Sequence, residues 1–126
     1  MTLGRRIALV LLALFFVGAG VGHFVNTEFF VSIVPPYLPA PRVLVYLSGV
    51  CEILGGLGVL LPATRRAAGI GLIALLIAVF PANLHMALNP ATFVEQGIPY
   101  WSLYARLPFQ LVFIAWTWWS TRVVPT

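Results

Sequence analysis

Apolar residues run through this chain in four long stretches rather than in the alternating or stripe-like patterns of soluble elements. Ile7–Val25 contains no charged residue. Val43–Leu61 is interrupted only by Glu52, Ala67–Leu88 carries no charge, and Leu103–Trp119 is interrupted only by Arg106 near its start. Each is about long enough, as a helix, to cross a hydrocarbon layer of roughly 30 Å. Open strands cannot leave backbone groups unpaired in lipid, so helices are expected. The pattern predicts one transmembrane domain over residues 1–126, an all-α bundle of four membrane-spanning helices.

The arginines set the direction. Arg5 and Arg6 precede the first stretch, Arg65 and Arg66 lie between the second and third, and Arg122 follows the fourth. No acid shares those segments, whereas the other two connections hold Glu28, Arg42 and Glu95. The positive-inside rule places the arginine-only side, and both the N- and C-termini, in the cytoplasm. Arg5-Arg6, the apolar stretch and the small residues at 18–22 also follow the order of a signal peptide. No soluble mature domain follows them, so the first stretch is read as a span.

Composition agrees. The 126 residues are 61% hydrophobic and 8% charged, with a mean hydropathy of +1.02. A soluble domain carries about a quarter charged residues. Seven Arg against three Glu leave a net charge of +4. The arginines flank apolar segments and no nucleic-acid recognition motif accompanies them, so the expected partner is the lipid bilayer and not a nucleic acid. Cys51, the only cysteine, excludes an intramolecular disulfide and a dithiol relay.

The connection at 62–66 is tight, making spans two and three antiparallel neighbours. The outer connections are richer. Pro35, Pro36, Pro39 and Pro41 oppose regular helix between Asn26 and Arg42, and Phe29, Phe30, Ile33 and Tyr37 are expected to float in the interface. Pro90, Pro99, Tyr100 and Trp101 cap the second outer connection, and Trp116, Trp118 and Trp119 mark the inner interface. Glycine is dense in the spans. Gly18 and Gly22 form a G-x-x-x-G pair that suits a close helix contact, within the chain or in a homo-oligomer.

Polar groups inside the spans carry the candidate chemistry. At a rise of roughly 1.5 Å per residue, Glu52 lies roughly 13 Å, Arg106 roughly 5 Å, Gln110 roughly 10 Å and Asn83 roughly 8 Å below the outer ends of their spans. His23 and His85 lie close to the outer ends of spans one and three. All six fall in the outer half. Gly49, Glu52 and Gly56 share a helical face, which leaves space beside the carboxylate; Arg106, Gln110 and Thr117 share another. Pro81 frees a carbonyl near Asn83 and predicts a kink. Glu52 is expected to pair with Arg106, directly, through water or through Gln110. Two readings of that buried ion pair stand: fixation of helix register, or the frame of a ligand pocket.

His23 and His85 are expected to make interfacial hydrogen bonds or to donate to a quinone. Bis-histidine haem needs two facing imidazoles, which the sequence does not place, so haem is not expected. No metal site is expected, and no nucleotide loop, zinc motif or nucleophile elbow is present. Whether the chain is an enzyme stays open.

Five runs resemble a known family: Gly22-His23-Phe24; Ile33-Val34-Pro35-Pro36-Tyr37-Leu38-Pro39; residues 48–56 around Glu52; Phe80-Pro81-Ala82-Asn83; and Arg106-Leu107-Pro108-Phe109-Gln110. Together they are similar to the DoxX-like family of small bacterial membrane proteins. The resemblance implies a four-helix protein of the bacterial cytoplasmic membrane, with His23, Glu52, Asn83, Arg106 and Gln110 at motif positions. Members resemble the small DoxD-type subunit of a thiosulfate:quinone oxidoreductase, partners of redox-defence proteins, or membrane assembly factors. Three functions are therefore expected in turn: a redox-associated subunit with an outer quinone pocket, a non-enzymatic scaffold or assembly factor, and a small-solute transporter.

Overall fold

The computed structural model describes residues 1–122, and every regular element in them is helical. There are seven segments: α1 (Leu3–Val25), α2 (Thr27–Ile33), α3 (Pro41–Gly58), α4 (Arg65–Ala78), α5 (Phe80–Leu88), α6 (Pro90–Glu95) and α7 (Tyr100–Thr121). The segments α4 and α5 run on from each other as one apolar stretch, Arg65–Leu88. Among the described residues, that stretch and α1 are the two helices long and apolar enough to cross a membrane. The four apolar stretches of the sequence fall on helices, save residues 59–61 at the end of the second, which form a turn.

Local chemistry explains the breaks. Thr2 caps α1 by accepting the Arg5 amide at 3.2 Å. Pro41 opens α3 at its first position, where a missing N–H costs nothing. The break between α4 and α5 falls at Val79, two residues before Pro81, as expected of a ring that removes a backbone donor. Pro108 sits inside α7 and leaves the Tyr104 carbonyl without its helical partner.

The long helices form a ring. Helix α1 packs against α3, α3 against α4, α4 against α7, and α7 back against α1, while α5 also lies on α7. Neither diagonal pair, α1 with α4 or α3 with α7, brings its backbones together. Leu9, Leu12, Phe16, Val59, Leu72 and Leu76 fill the middle of the ring. The α1–α3 seam is the closest, because glycines face each other across it. A Cβ on Gly20 would stand 2.6 Å from the Gly49 carbonyl oxygen. Gly18 and Gly22 are not that seam: Gly18 has open space, and a Cβ on Gly22 would meet only Phe30, at 3.9 Å.

Both connections expected to be irregular contain short helices. Helix α2 lies on α1, α3 and α5, and α6 on α5 and α7. Phe93 of α6 is 1% exposed and packs with Met86 and Leu103 in a second small core. The prolines of the first connection all follow α2 rather than interrupt it, which is why seven residues before them can wind up. Outward faces are apolar throughout, with Val10, Leu14, Leu47, Leu54, Leu57, Ile70, Ile77 and Leu111 all exposed.

Candidate functional site

The glycine seam sets the first polar contact. With α1 and α3 so close, His23 in the last turn of α1 comes beside Glu52 of α3, Nδ1 to Oε2 3.4 Å. Their side chains are 10% and 12% exposed. The shared face of Gly49 and Gly56 is not open space, as expected from the sequence. It is filled by α1: a Cβ on Gly49 would stand 2.9 Å from His23 Cβ, and one on Gly56 2.9 Å from Val17 Cγ2.

The imidazole is held by Ala19 and Phe30, and the backbone of His23 by Thr27. Nδ1 lies 2.7 Å from the Ala19 carbonyl, which requires Nδ1–H as the donor and leaves Nε2 an acceptor in the neutral ring. Phe30 of α2 stacks on the ring, centroids 4.0 Å apart and planes 15° from parallel. Thr27 Oγ1 donates to the His23 carbonyl at 2.9 Å, tying the end of α1 to the start of α2. Because Nδ1–H serves Ala19, Glu52 Oε2 stays buried without a hydrogen-bond partner.

A second polar contact joins α5 to α7. Asn83 Nδ2 donates to Gln110 Oε1 at 3.1 Å, and Gln110 is 7% exposed. Gln110 also borders a recess of about 310 Å³ lined by Phe80, Leu107, Pro108 and Leu111. One turn above Gln110, Arg106 is partly buried, and its Nε has no hydrogen-bond partner.

Among the described residues, Glu52 and Arg106 make no direct ion pair. The carboxylate's nearest basic side chain is His23. Glu52 and Arg106 occupy diagonal helices, and with neighbours roughly 9 Å apart the diagonal axes stand about 13 Å apart. His85 is separate again, on α5, which does not pack on α1. Its Nδ1 lies 3.2 Å from Asn89 Nδ2, and its ring meets the edge of Phe93 at 5.7 Å. Six candidates therefore fall into three groups: His23 with Glu52, Asn83 with Gln110 below Arg106, and His85 alone. Among the described residues, no three of His, Cys, Asp and Glu come together as metal ligands do.

Outside the spans, Glu28 and Arg42 form an exposed ion pair between α2 and α3. The hydrogen bond to Glu28, and then one to Tyr46, raises the Arg42 pKa above its ordinary value. Two residues of consequence were not read from the sequence. The sequence places Phe30 in the interface, and only the short helix α2 turns it onto His23. Arg5 reads as a topology marker in the sequence, yet it is 8% exposed. A signal was present: Arg5, Leu9, Leu12 and Phe16 recur at the spacing of one buried helical face.

The architecture defines a small all-α protein with two membrane-length helices and polar groups buried between apolar ones. A family model described as a domain of unknown function, DUF8561, matches residues 12–121, and the chain belongs to that family. Comparison with curated proteins and with solved structures finds no match.

Proposed function

We propose that the chain crosses the bacterial cytoplasmic membrane four times and is a redox-associated subunit whose outer half receives the ring of a quinone or a similarly amphipathic molecule. Apolar outward faces on α3 and α7 as well as on α1 and α4 support four spans. The 18 residues of α3 extend about 27 Å and the 22 of α7 about 33 Å, close to the hydrocarbon thickness. The resemblance of the five sequence runs to the DoxX-like family supports the same reading.

One observation carries the ligand. Glu52 Oε2 and Arg106 Nε are both buried, on diagonal helices, and neither has a hydrogen-bond partner. Buried polar atoms nearly always have one, and leaving a charged group unsatisfied costs at least about 1–3 kcal/mol. A quinone ring between them accepts at its carbonyls from Arg106, while Glu52 and His23 accept from the hydroxyls of the reduced form. Electron transfer belongs to a partner protein in this reading.

The test is mass spectrometry of small molecules retained by gently purified protein, comparing wild type with Glu52→Gln and Arg106→Ala. A quinone kept by wild type and lost by both variants supports the site. Folded protein that retains no quinone, and does not take one up after reconstitution, removes it. A scaffold or assembly role is the second reading, favoured by Gly18 and Gly71, whose outward faces are open to a partner helix. It predicts loss of partner recovery, without ligand loss, when those glycines are enlarged.

A further inference from the structure

At the other end of the ring, arginines gather where helix ends would not by themselves draw them. Arg5 stands in the first turn of α1 and Arg65 at the first position of α4, and a cation at a helix N-terminus faces an unfavourable dipole. Both side chains therefore turn to the C-terminal carbonyls of a neighbouring or preceding helix. Arg5 Nε donates to the Ser120 carbonyl at 3.2 Å, and its Nη2 donates to the carbonyl of Arg122. Arg65 Nε donates to the Val59 carbonyl at 2.8 Å and its Nη2 to that of Leu60 at 3.2 Å. Arg122 closes the group, its guanidinium carbon 5.1 Å from the Trp118 ring centre.

These contacts satisfy hydrogen bonds but not charge. Arg65 and Arg122 lie close enough to Arg5 for their charges to repel its own. Among the described residues the ion pairs are His23 with Glu52 and Arg42 with Glu28, so none of the three arginines has a carboxylate. The three glutamates of the chain lie at positions 28, 52 and 95, in other parts of the molecule. Two donors in the same place are also unused. Arg122 Nε is buried without a partner, and so is the hydroxyl of Ser120, a residue with 0% exposure. The ends of α3 and α7 offset the positive ends of α1 and α4 here, so the excess charge is that of three guanidinium groups, and with two unspent donors they describe a receptor for a compact polyoxyanion.

We propose that Arg5, Arg65, Arg122 and the Ser120 hydroxyl hold the phosphate of an anionic phospholipid headgroup. The choice of lipid over free phosphate rests on the four-span reading above, which sets this end at the headgroup level of the cytoplasmic leaflet. Trp118 and Trp119, 57% and 41% exposed beside the cluster, are the residues that favour that level. Basic pockets between helices on the cytoplasmic side are suited to anionic headgroups, and guanidinium groups match phosphate oxygens two at a time. Exposed Arg6 and Arg66 add charge at the rim.

The experiment has two stages. Protein is first recovered from alkali-washed membranes; a chain that does not span the bilayer is lost there, which is the failure of the four-span reading and not of this site. Recovered protein in a non-ionic detergent is then offered equal phosphatidylglycerol and phosphatidylcholine and examined by native mass spectrometry. Wild type is expected to keep the anionic lipid at least tenfold over the zwitterionic one. Arg122→Gln and Arg65→Gln, which leave the buried Arg5 in place, are expected to lower that preference fivefold or more, while Arg42→Gln at the opposite end leaves it intact. Equal retention of both lipids, or an undiminished preference in the Arg65→Gln/Arg122→Gln pair, overturns the proposal. Thermal protection by inorganic phosphate equal to that by phosphatidylglycerol overturns the lipid as its source.

Discussion

The imidazole of His23 meets the carboxylate of Glu52 across a helix contact that only glycine permits. Gly20 and Gly49 stand where any side chain would hold α1 and α3 apart, and the two polar residues lie within a turn of them. The polar contact and the glycine seam are thus one feature. Removing His23 leaves a buried carboxylate facing an empty space with no polar side chain beside it, whereas Glu52→Gln removes the charge and keeps the shape. His23→Ala is expected to cost about 1–3 kcal/mol and Glu52→Gln under about 1 kcal/mol. Unfolding by dodecyl sulfate in mixed micelles measures both, and a larger loss in Glu52→Gln than in His23→Ala would refute this ordering.

The seam makes a prediction of its own. A methyl group on Gly20 runs into the Gly49 carbonyl and the backbone of Ile53, neither of which can rotate away. Gly20→Ala is expected to destabilise the protein by about 1–3 kcal/mol. Gly18→Ala, two residues off on an open face, is expected to change stability by no more than about 0.5 kcal/mol. The same titration separates them, and equal effects would mean that α1 and α3 do not meet through Gly20.

Much of this was legible in the residues, and the part that was not has a geometric cause. Four uncharged or nearly uncharged stretches locate the long helices because a long apolar run has few other uses. Counting residues from the stretch ends gives depth, so Glu52, Arg106, Asn83 and Gln110 could be assigned a common level. Depth is not direction around the ring. Pairing Glu52 with Arg106 assumed adjacent helices, while in the fold α3 and α7 are diagonal and His23 is the nearer neighbour. The G-x-x-x-G spacing pointed to Gly18 and Gly22, but a single intervening glycine, Gly20, takes the contact because helix rotation is fixed by Leu9, Leu12 and Phe16 on the buried face. Helix α2 was hidden by its prolines, which end it rather than forbid it, and with it went the placement of Phe30.

Asn83 and Gln110 test how much a hydrogen bond is worth between these helices. Each amide has other groups to turn to in the unfolded membrane state, so the coupling is expected to be modest. A double-mutant cycle of Asn83→Ala and Gln110→Ala is expected to return about 0.6 kcal/mol, and no more than about 1.7 kcal/mol. If Gln110 also holds a ligand, the coupling should rise when quinone is present. A cycle near zero in both conditions would leave the 3.1 Å contact without energetic meaning.

Direction in the membrane rests on arginine placement and can be read with thiols. Cys51 is exposed on α3, one position from Glu52, where the outward face meets lipid in the four-span reading. A charged maleimide does not enter hydrocarbon, so a thiol that faces lipid is out of its reach. In intact cells the native protein is therefore expected to resist a charged maleimide until detergent is added. Against that silent background, Gln96→Cys should label from outside, since Gln96 lies exposed in the α6–α7 connection. Thr64→Cys, exposed in the α3–α4 connection beside Arg65, should label only after the membrane is made permeable. Labelling of Thr64→Cys in intact cells with protection of Gln96→Cys would invert the protein, moving the arginine cluster to the outer leaflet and the His23–Glu52 contact to the cytoplasmic half. Labelling of both from one side would instead require an even number of crossings between them, and the ring of four helices would then have to lie in the membrane in some other way.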